Sequence, residues 1–247
     1  MPRALFLLHD HQALAGPIGD RLAERGYDLE AFLIVPPERW AAPDVPRALP
    51  SLCAYDLVVA LGAPWSVFDE RIQPWFEAEL AELQAAVAAE VPILGICFGA
   101  QALAVAHGGV VERAPRHEIG WMPVRSSFAV LAKTWLQYHF DRITPPPGAR
   151  VLAESARAVQ AFSFGSALGV QFHPEATEAL VALWCDDAGR AELVEAGEDA
   201  DALLAATAAA APASAAQARE LVDAFCRGDF RHRDTPPRGT SGAPLPW

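Results

Sequence analysis

Four short apolar runs in the first hundred residues do most to restrict the fold. They are ALFLL (4–8), EAFLIV (30–35), DLVVALG (56–62) and PILGI (92–96). Each is nearly continuous rather than alternating, which is the pattern of a strand covered on both faces of a sheet. Helical stretches separate them. Residues 17–25 read as a short helix stopped by Gly26. WFEAELAELQAAVAAE (75–90) reads as a long helix with Pro74 near its start, where a missing N–H costs nothing. Residues 97–106 read as a third helix, ending before Gly108 and Gly109. This strand–helix rhythm predicts an α/β domain with a mainly parallel sheet.

The middle of the chain changes character. Residues 110–172 hold the short strand candidates VVER, WMPVR, RVLAES, AVQAFSF and LGVQF, with TPPPG (144–148) as the clearest turn. They predict antiparallel pairs added to the parallel sheet. From residue 176 onward Ala, Asp and Glu dominate, and residues 179–185 and 215–226 read as helices. The low-complexity stretch LLAATAAAAPASAAQ (203–217) allows either a helix interrupted by Pro212 or a partly loose segment. The expected organisation is a domain over residues 1–185, a helical Ala-rich extension packed on it over 186–230, and a disordered Pro/Gly-rich tail over 231–247.

A formal net charge of −12 argues against nucleic acid or an anionic membrane surface as partner, because both would repel the chain. No apolar run approaches the ~18–20 residues of a membrane span. The N-terminal run is too short for a signal peptide and ends in His9 and Asp10, so a cytoplasmic location is expected. His9 and His11 read as pocket-rim or solvated residues. Cys53, Cys97, Cys185 and Cys226 form no CxxC pair, and no His/Cys/carboxylate cluster has ligand spacing. Neither a metal nor another cofactor is expected.

Cys97 lies in GICFGAQALA, at the point where an apolar strand turns into a helix. Gly-x-Cys-x-Gly is the cysteine form of a nucleophile elbow. Glycines allow close backbone passage, and the helix N-terminus favours a thiolate and offers N–H donors. The same residues also suit a buried cysteine at a strand end, and both readings stand at this point. His173 follows the strand candidate LGVQF and precedes Pro174, which restricts it to extended conformations. Glu175 stands two residues on, placed to orient the imidazole. Past the third strand, Gly62-Ala63-Pro64 offers backbone N–H groups that face the Phe98 N–H in a two-donor oxyanion hole, or else a plain strand-to-loop turn.

Together these stretches resemble the class I, triad-type glutamine amidotransferases, in particular stand-alone proteins similar to the amidotransferase domain of GMP synthase. The resemblance covers roughly residues 50–180. GICFGAQALA matches the family's nucleophile motif and GVQFHPE (169–175) its His-x-Glu element. GAPWS (62–66), EIGW (118–121) and YHFD (138–141) fall in order where the family has its oxyanion loop and two further motifs. The resemblance implies a flavodoxin-like three-layer αβα fold with a mostly parallel central sheet, antiparallel additions and a helical C-terminal extension. It implies Cys97 as nucleophile toward the side-chain amide of L-glutamine, His173 as proton shuttle and Glu175 as its support. The Phe98 and Ala63 N–H groups, with Gly62, would form the oxyanion hole, and Gln101 would bind the amino-acid end of the substrate. Ala63 and Phe140 stand where the family carries glycines, and Phe140 would narrow the pocket or select another γ-glutamyl compound. No GxxxxGK[ST] loop is present, so ammonia would pass to a separate synthase chain. The alternatives are a stand-alone γ-glutamyl hydrolase and a non-catalytic module, with a homodimer possible in any case.

Overall fold

The computed structural model describes residues 1–231. The tail read as disordered lies, but for Arg231, outside the described residues. The first half runs β1 (Arg3–Leu8), α1 (Gly16–Glu24), β2 (Asp28–Leu33), β3 (Leu57–Ala60), α2 (Gln73–Ala88), β4 (Ile93–Ile96) and α3 (Phe98–Ala106). The second half runs β5 (Val110–Pro123), β6 (Arg125–Ser126), β7 (Thr134–Thr144), β8 (Arg150–Glu154), β9 (Val159–Phe164) and β10 (Ala167–Val170). It closes with α4 (Glu178–Trp184), α5 (Asp187–Ala196) and α6 (Ala200–Arg227).

Eight strands form one sheet in the order β2-β1-β3-β4-β10-β9-β8-β6. The first five are parallel, and β9, β8 and β6 extend the sheet antiparallel. Because strand side chains alternate between faces, each apolar run feeds two cores. Leu5, Leu7, Val58 and Ala60 pack with Phe76 and Leu83 of α2 and Leu103 of α3. Ala4, Phe6, Leu57 and Val59 pack on the opposite face with Ile18 and Leu22 of α1 and Leu221, Val222 and Phe225 of α6. The result is a three-layer αβα molecule, the flavodoxin-like class that the resemblance implies. Among the described residues no helix is long and apolar enough to cross a membrane, and no His/Cys/Asp/Glu group is arranged to hold a metal ion.

Two details differ from the sequence reading. The antiparallel pairs do not all join the main sheet, since β5 and β7 form a separate two-stranded ribbon. In that ribbon EIGW pairs directly with the YHFD region: Glu118 lies opposite His139 and Ile119 opposite Tyr138. α5 falls within the 186–230 stretch read as helical; Leu193 is its one buried residue, and its sequence carries almost no apolar stripe. α6 runs unbroken for 28 residues through Pro212. Pro212 forfeits one hydrogen bond, to the Ala208 carbonyl, but both flanks are held: Asp199 caps the start, and Thr207, Ser214 and Ala218 are buried along its length.

Candidate active site

The functional residues gather beyond the carboxyl ends of β3, β4 and β10, where open parallel sheets place their sites. Cys97 sits between β4 and α3 with φ +51° and ψ −105°, a backbone state that L residues rarely adopt. The glycines on either side explain how the chain reaches it. A Cβ on Gly99 would lie 2.2 Å from the Ala60 carbonyl oxygen, and one on Gly95 would lie 2.6 Å from the Gly99 carbonyl oxygen. Only bare backbone lets α3 press against β3 this closely. The Cys97 N–H donates to Val170 O at 2.8 Å and the Gly99 N–H to Leu61 O at 3.1 Å, which pins the turn to strands on both sides.

His173 extends the line of β10. Its N–H donates to Leu136 O on β7 at 2.9 Å, so the sheet and the ribbon together fix its position. Nδ1 lies 2.7 Å from Glu175 Oε1, and both side chains are buried. Nε2 meets no hydrogen-bond partner among the described residues, although the Cys97 thiol is near enough to act on its charge. Burial pulls the His173 pKa down, but Glu175 and Cys97 push it up, and the net position is well above the usual histidine value. The proximity is also visible from Gly62: a Cβ placed there would sit 3.3 Å from His173 Cε1 and 3.7 Å from Cys97 Cβ.

Neither the Phe98 N–H nor the Ala63 N–H reaches a protein acceptor among the described residues. Ala63 does not have positive φ, so its Cβ is accommodated without strain. Gln101 is buried and its Nε2 donates to Gln171 Oε1 at 3.3 Å. Gln171 Nε2 in turn approaches Cys97 Sγ at 3.5 Å. Gln171 was missed by sequence reading, yet it lies two residues before His173 on the same strand line.

Cys97 borders two adjoining spaces. A smaller one, of about 110 Å³, is lined by Gln101, Ser66, Arg113, Phe140 and Asp141 among others. The Arg113 guanidinium stacks 4.5 Å over the Phe140 ring, and the Ser66 hydroxyl donates to Asp141 Oδ2. A larger space, of about 270 Å³, touches both Cys97 and His173 and shares Ala63, Pro64, Tyr138 and Glu192 with the smaller one. Trp65 is 8% exposed and packs with Trp40 and Trp75 behind the oxyanion loop.

His9 corrects the sequence reading. It is neither rim nor solvated but fully buried at the end of β1, with Nε2 3.0 Å from Glu79 Oε1 and Nδ1 3.2 Å from Gly62 O. The two partners are 53 and 70 residues away, so no local spacing could reveal them. Burial lowers its pKa and the Glu79 charge raises it, and the net shift is upward. His11, by contrast, is exposed, with its ring edge-on to Trp40.

The family described as glutamine amidotransferase class-I matches residues 18–180. The chain is 36% identical over 163 residues to one subunit of the glutamine-hydrolyzing GMP synthase of Saccharolobus solfataricus, covering 61% of this chain and 77% of that protein. It is 35% identical over 165 residues to a glutamine-hydrolyzing GMP synthase from Thermus thermophilus, covering 62% of this chain and 30% of that protein. Among solved structures, a glutamine amidotransferase from Thermotoga maritima superposes with a TM-score of 0.77 at 25% identity, over 91% of this chain and 97% of that one. A second, from Methylobacillus flagellatus, shares the fold with a TM-score of 0.78 at 24% identity, over 95% of this chain and 97% of that one.

Proposed function

We propose that this chain, which belongs to the class-I glutamine amidotransferase family, hydrolyses a γ-glutamyl amide, L-glutamine first among them, through a thioester on Cys97. The observation that carries the reading is a single one: a cysteine on a strained strand-to-helix elbow beside a buried His173–Glu175 pair, with two unengaged N–H groups close by.

The chemistry follows from the geometry. His173 takes the Cys97 proton, and the thiolate attacks the side-chain carbonyl carbon. The Phe98 and Ala63 N–H groups stabilise the oxyanion of the tetrahedral intermediate. As the C–N bond breaks, His173 returns the proton to the departing nitrogen, and ammonia leaves. Water, deprotonated by His173, then attacks the thioester. Glutamate leaves and the thiol is restored. Glu175 holds the imidazole in the tautomer that presents Nε2 to the sulfur.

The smaller space suits the amino-acid end of the substrate, since it offers a guanidinium, a carboxylate and the Gln101 amide. The ammonia would go to an acceptor on a separate chain, and the Saccharolobus relative is itself one subunit of a synthase. The stand-alone γ-glutamyl hydrolase reading is favoured by one observation, the wide space that borders Cys97 and His173. Glutamate release from L-glutamine by the purified protein, with and without candidate synthase chains, tests the first reading.

Two expected results bear on individual residues. Glu175→Gln removes the charge that holds the His173 pKa up. A raised pKa keeps His173 protonated below that value, and the acid form is lost as pH rises through it. Without Glu175 that loss comes earlier, so the alkaline limb of the kcat/KM profile should move to lower pH. An unmoved limb would show that Glu175 does not act on His173. Phe140→Leu keeps strand β7 but removes the face under Arg113. A cation–π contact worth ~0.5–1 kcal/mol predicts a KM for L-glutamine raised roughly two- to fivefold, with kcat little changed; steady-state kinetics decide it.

A further inference from the structure

We infer that the larger space beside Cys97 is a binding site for the leaving group of the substrate, and that it takes a cationic amine, so that the preferred substrates include γ-glutamyl amides of diamines. This rests on the reading of Cys97 as the nucleophile toward a γ-glutamyl amide.

Stereochemistry sets the direction. The departing nitrogen must receive its proton from His173. His173 borders the larger space of about 270 Å³ and not the smaller one. With the glutamate end on the Gln101 side, whatever is attached to the scissile nitrogen projects toward His173 and into the larger space. Size points the same way. Ammonia needs about the room of one water molecule, on the order of 10–15 Å³. The space available exceeds that by more than an order of magnitude, which suits an organic substituent on the nitrogen.

The walls supply the chemistry. They carry the carboxylates Asp10 and Asp186 and the rings of Trp40 and Trp184, share Glu192 and Tyr138 with the smaller space, and include no Lys or Arg. Carboxylates combined with aromatic faces recognise cationic nitrogen. The smaller space differs in kind, because Arg113 lies opposite Asp141 there, as an α-amino acid requires. Several of the larger space's wall groups are held in place. Asp186 accepts from the Gly189 N–H at the start of α5 and from Gln12 Nε2. The Tyr138 hydroxyl donates to Glu192. Burial raises the pKa of Asp10 and of Glu192, the former against a hydrogen bond from the Gln12 N–H and the latter against one from Tyr138. An ammonium group bound between them would reverse that cost.

The reaction balances with water alone. His173 gives its proton to the amide nitrogen as the C–N bond breaks, and the amine departs while its distal ammonium group remains on the carboxylates. Water then cleaves the thioester to glutamate.

The test is an isosteric series: the γ-glutamyl amides of 1,5-diaminopentane, pentylamine and 5-aminopentanoate, which are cationic, neutral and anionic at the far end. For the wild-type protein kcat/KM should be at least tenfold higher for the cationic amide than for the neutral one, with the anionic amide slowest. Asp186→Asn, which keeps the helix cap, should lower the cationic-to-neutral ratio severalfold. A ratio is insensitive to partial loss of folded protein. A neutral amide cleaved as well as the cationic one overturns the inference. If nothing in the series is cleaved, calorimetry with Cys97→Ala separates the amine site from the hydrolytic reading. Tighter binding of the cationic amide upholds the site while the hydrolytic reading falls. Equal or weaker binding overturns the site itself.

Discussion

Cys97→Ala is expected to abolish glutamate release from L-glutamine, by at least ~10⁴-fold, while leaving the fold intact. Loss of a nucleophile in a nucleophile–base pair costs about as much as loss of the whole set, because the remaining groups have nothing to activate. The fold should survive because the elbow is shaped by its surroundings. Cys97 is pinned through its N–H to Val170 O, and Gly95 and Gly99 supply the close approach. Alanine brings the same Cβ to the same positive φ, so no new strain arises. Thermal unfolding should therefore shift by only a few degrees, consistent with ~1 kcal/mol for losing one buried sulfur. A variant that retains release would remove Cys97 from the chemistry. A silent wild type calls for a readout that needs no turnover: rapid alkylation of Cys97 ahead of the exposed Cys53 would still mark it as the activated thiol. Equal reactivity of the two would reduce it to a buried small side chain.

Much of this arrangement is legible in the sequence because its parts are local. The strands β1, β3 and β4 appear as continuous apolar runs, and the elbow is written in five consecutive residues. His173 and Glu175 lie within one motif. What escapes detection depends on contacts between distant segments or on polar residues that are buried. β7 presents Gln137, His139 and Asp141 inward, so its buried face looks like a solvated one. His139 shows the consequence: although Glu118 lies 3.5 Å from its Nε2, burial dominates and depresses its pKa to about 4. Asp186 and Glu192 cap and belong to a helix with almost no apolar stripe, yet α5 and its cap supply part of the wall of the larger space. A sequence can announce a nucleophile far more readily than the walls that choose its substrate. The former is a local backbone problem and the latter a tertiary one.

His9 illustrates that limit, and replacing it should produce the second-largest effect on catalysis. The Gly62 carbonyl can only accept, so Nδ1 carries the proton in this contact and donates to it, while Nε2 faces Glu79 Oε1. A trans peptide is planar, with its C=O and N–H pointing in opposite directions. Holding the Gly62 carbonyl toward His9 therefore turns the Ala63 N–H away from it, and that N–H is left without a protein acceptor. His9→Phe frees the carbonyl and so the N–H. If Ala63 serves the oxyanion, kcat for L-glutamine should fall ~10²- to 10³-fold, the usual cost of one such donor, with KM little altered. The variant also strands a buried Glu79, and breaking such a pair costs ~3–5 kcal/mol, so it is best made together with Glu79→Leu. His9→Asn, whose amide N–H can stand where Nδ1–H stood, should recover part of the rate. A direct reading comes from two probes of Cys97. The γ-semialdehyde of glutamate adds to the thiol and places an oxyanion in the hole, whereas iodoacetamide alkylates sulfur without forming one. The His9 variants should bind the aldehyde far more weakly yet be alkylated at nearly the wild-type rate. Unchanged aldehyde affinity would return His9 to the core as packing alone.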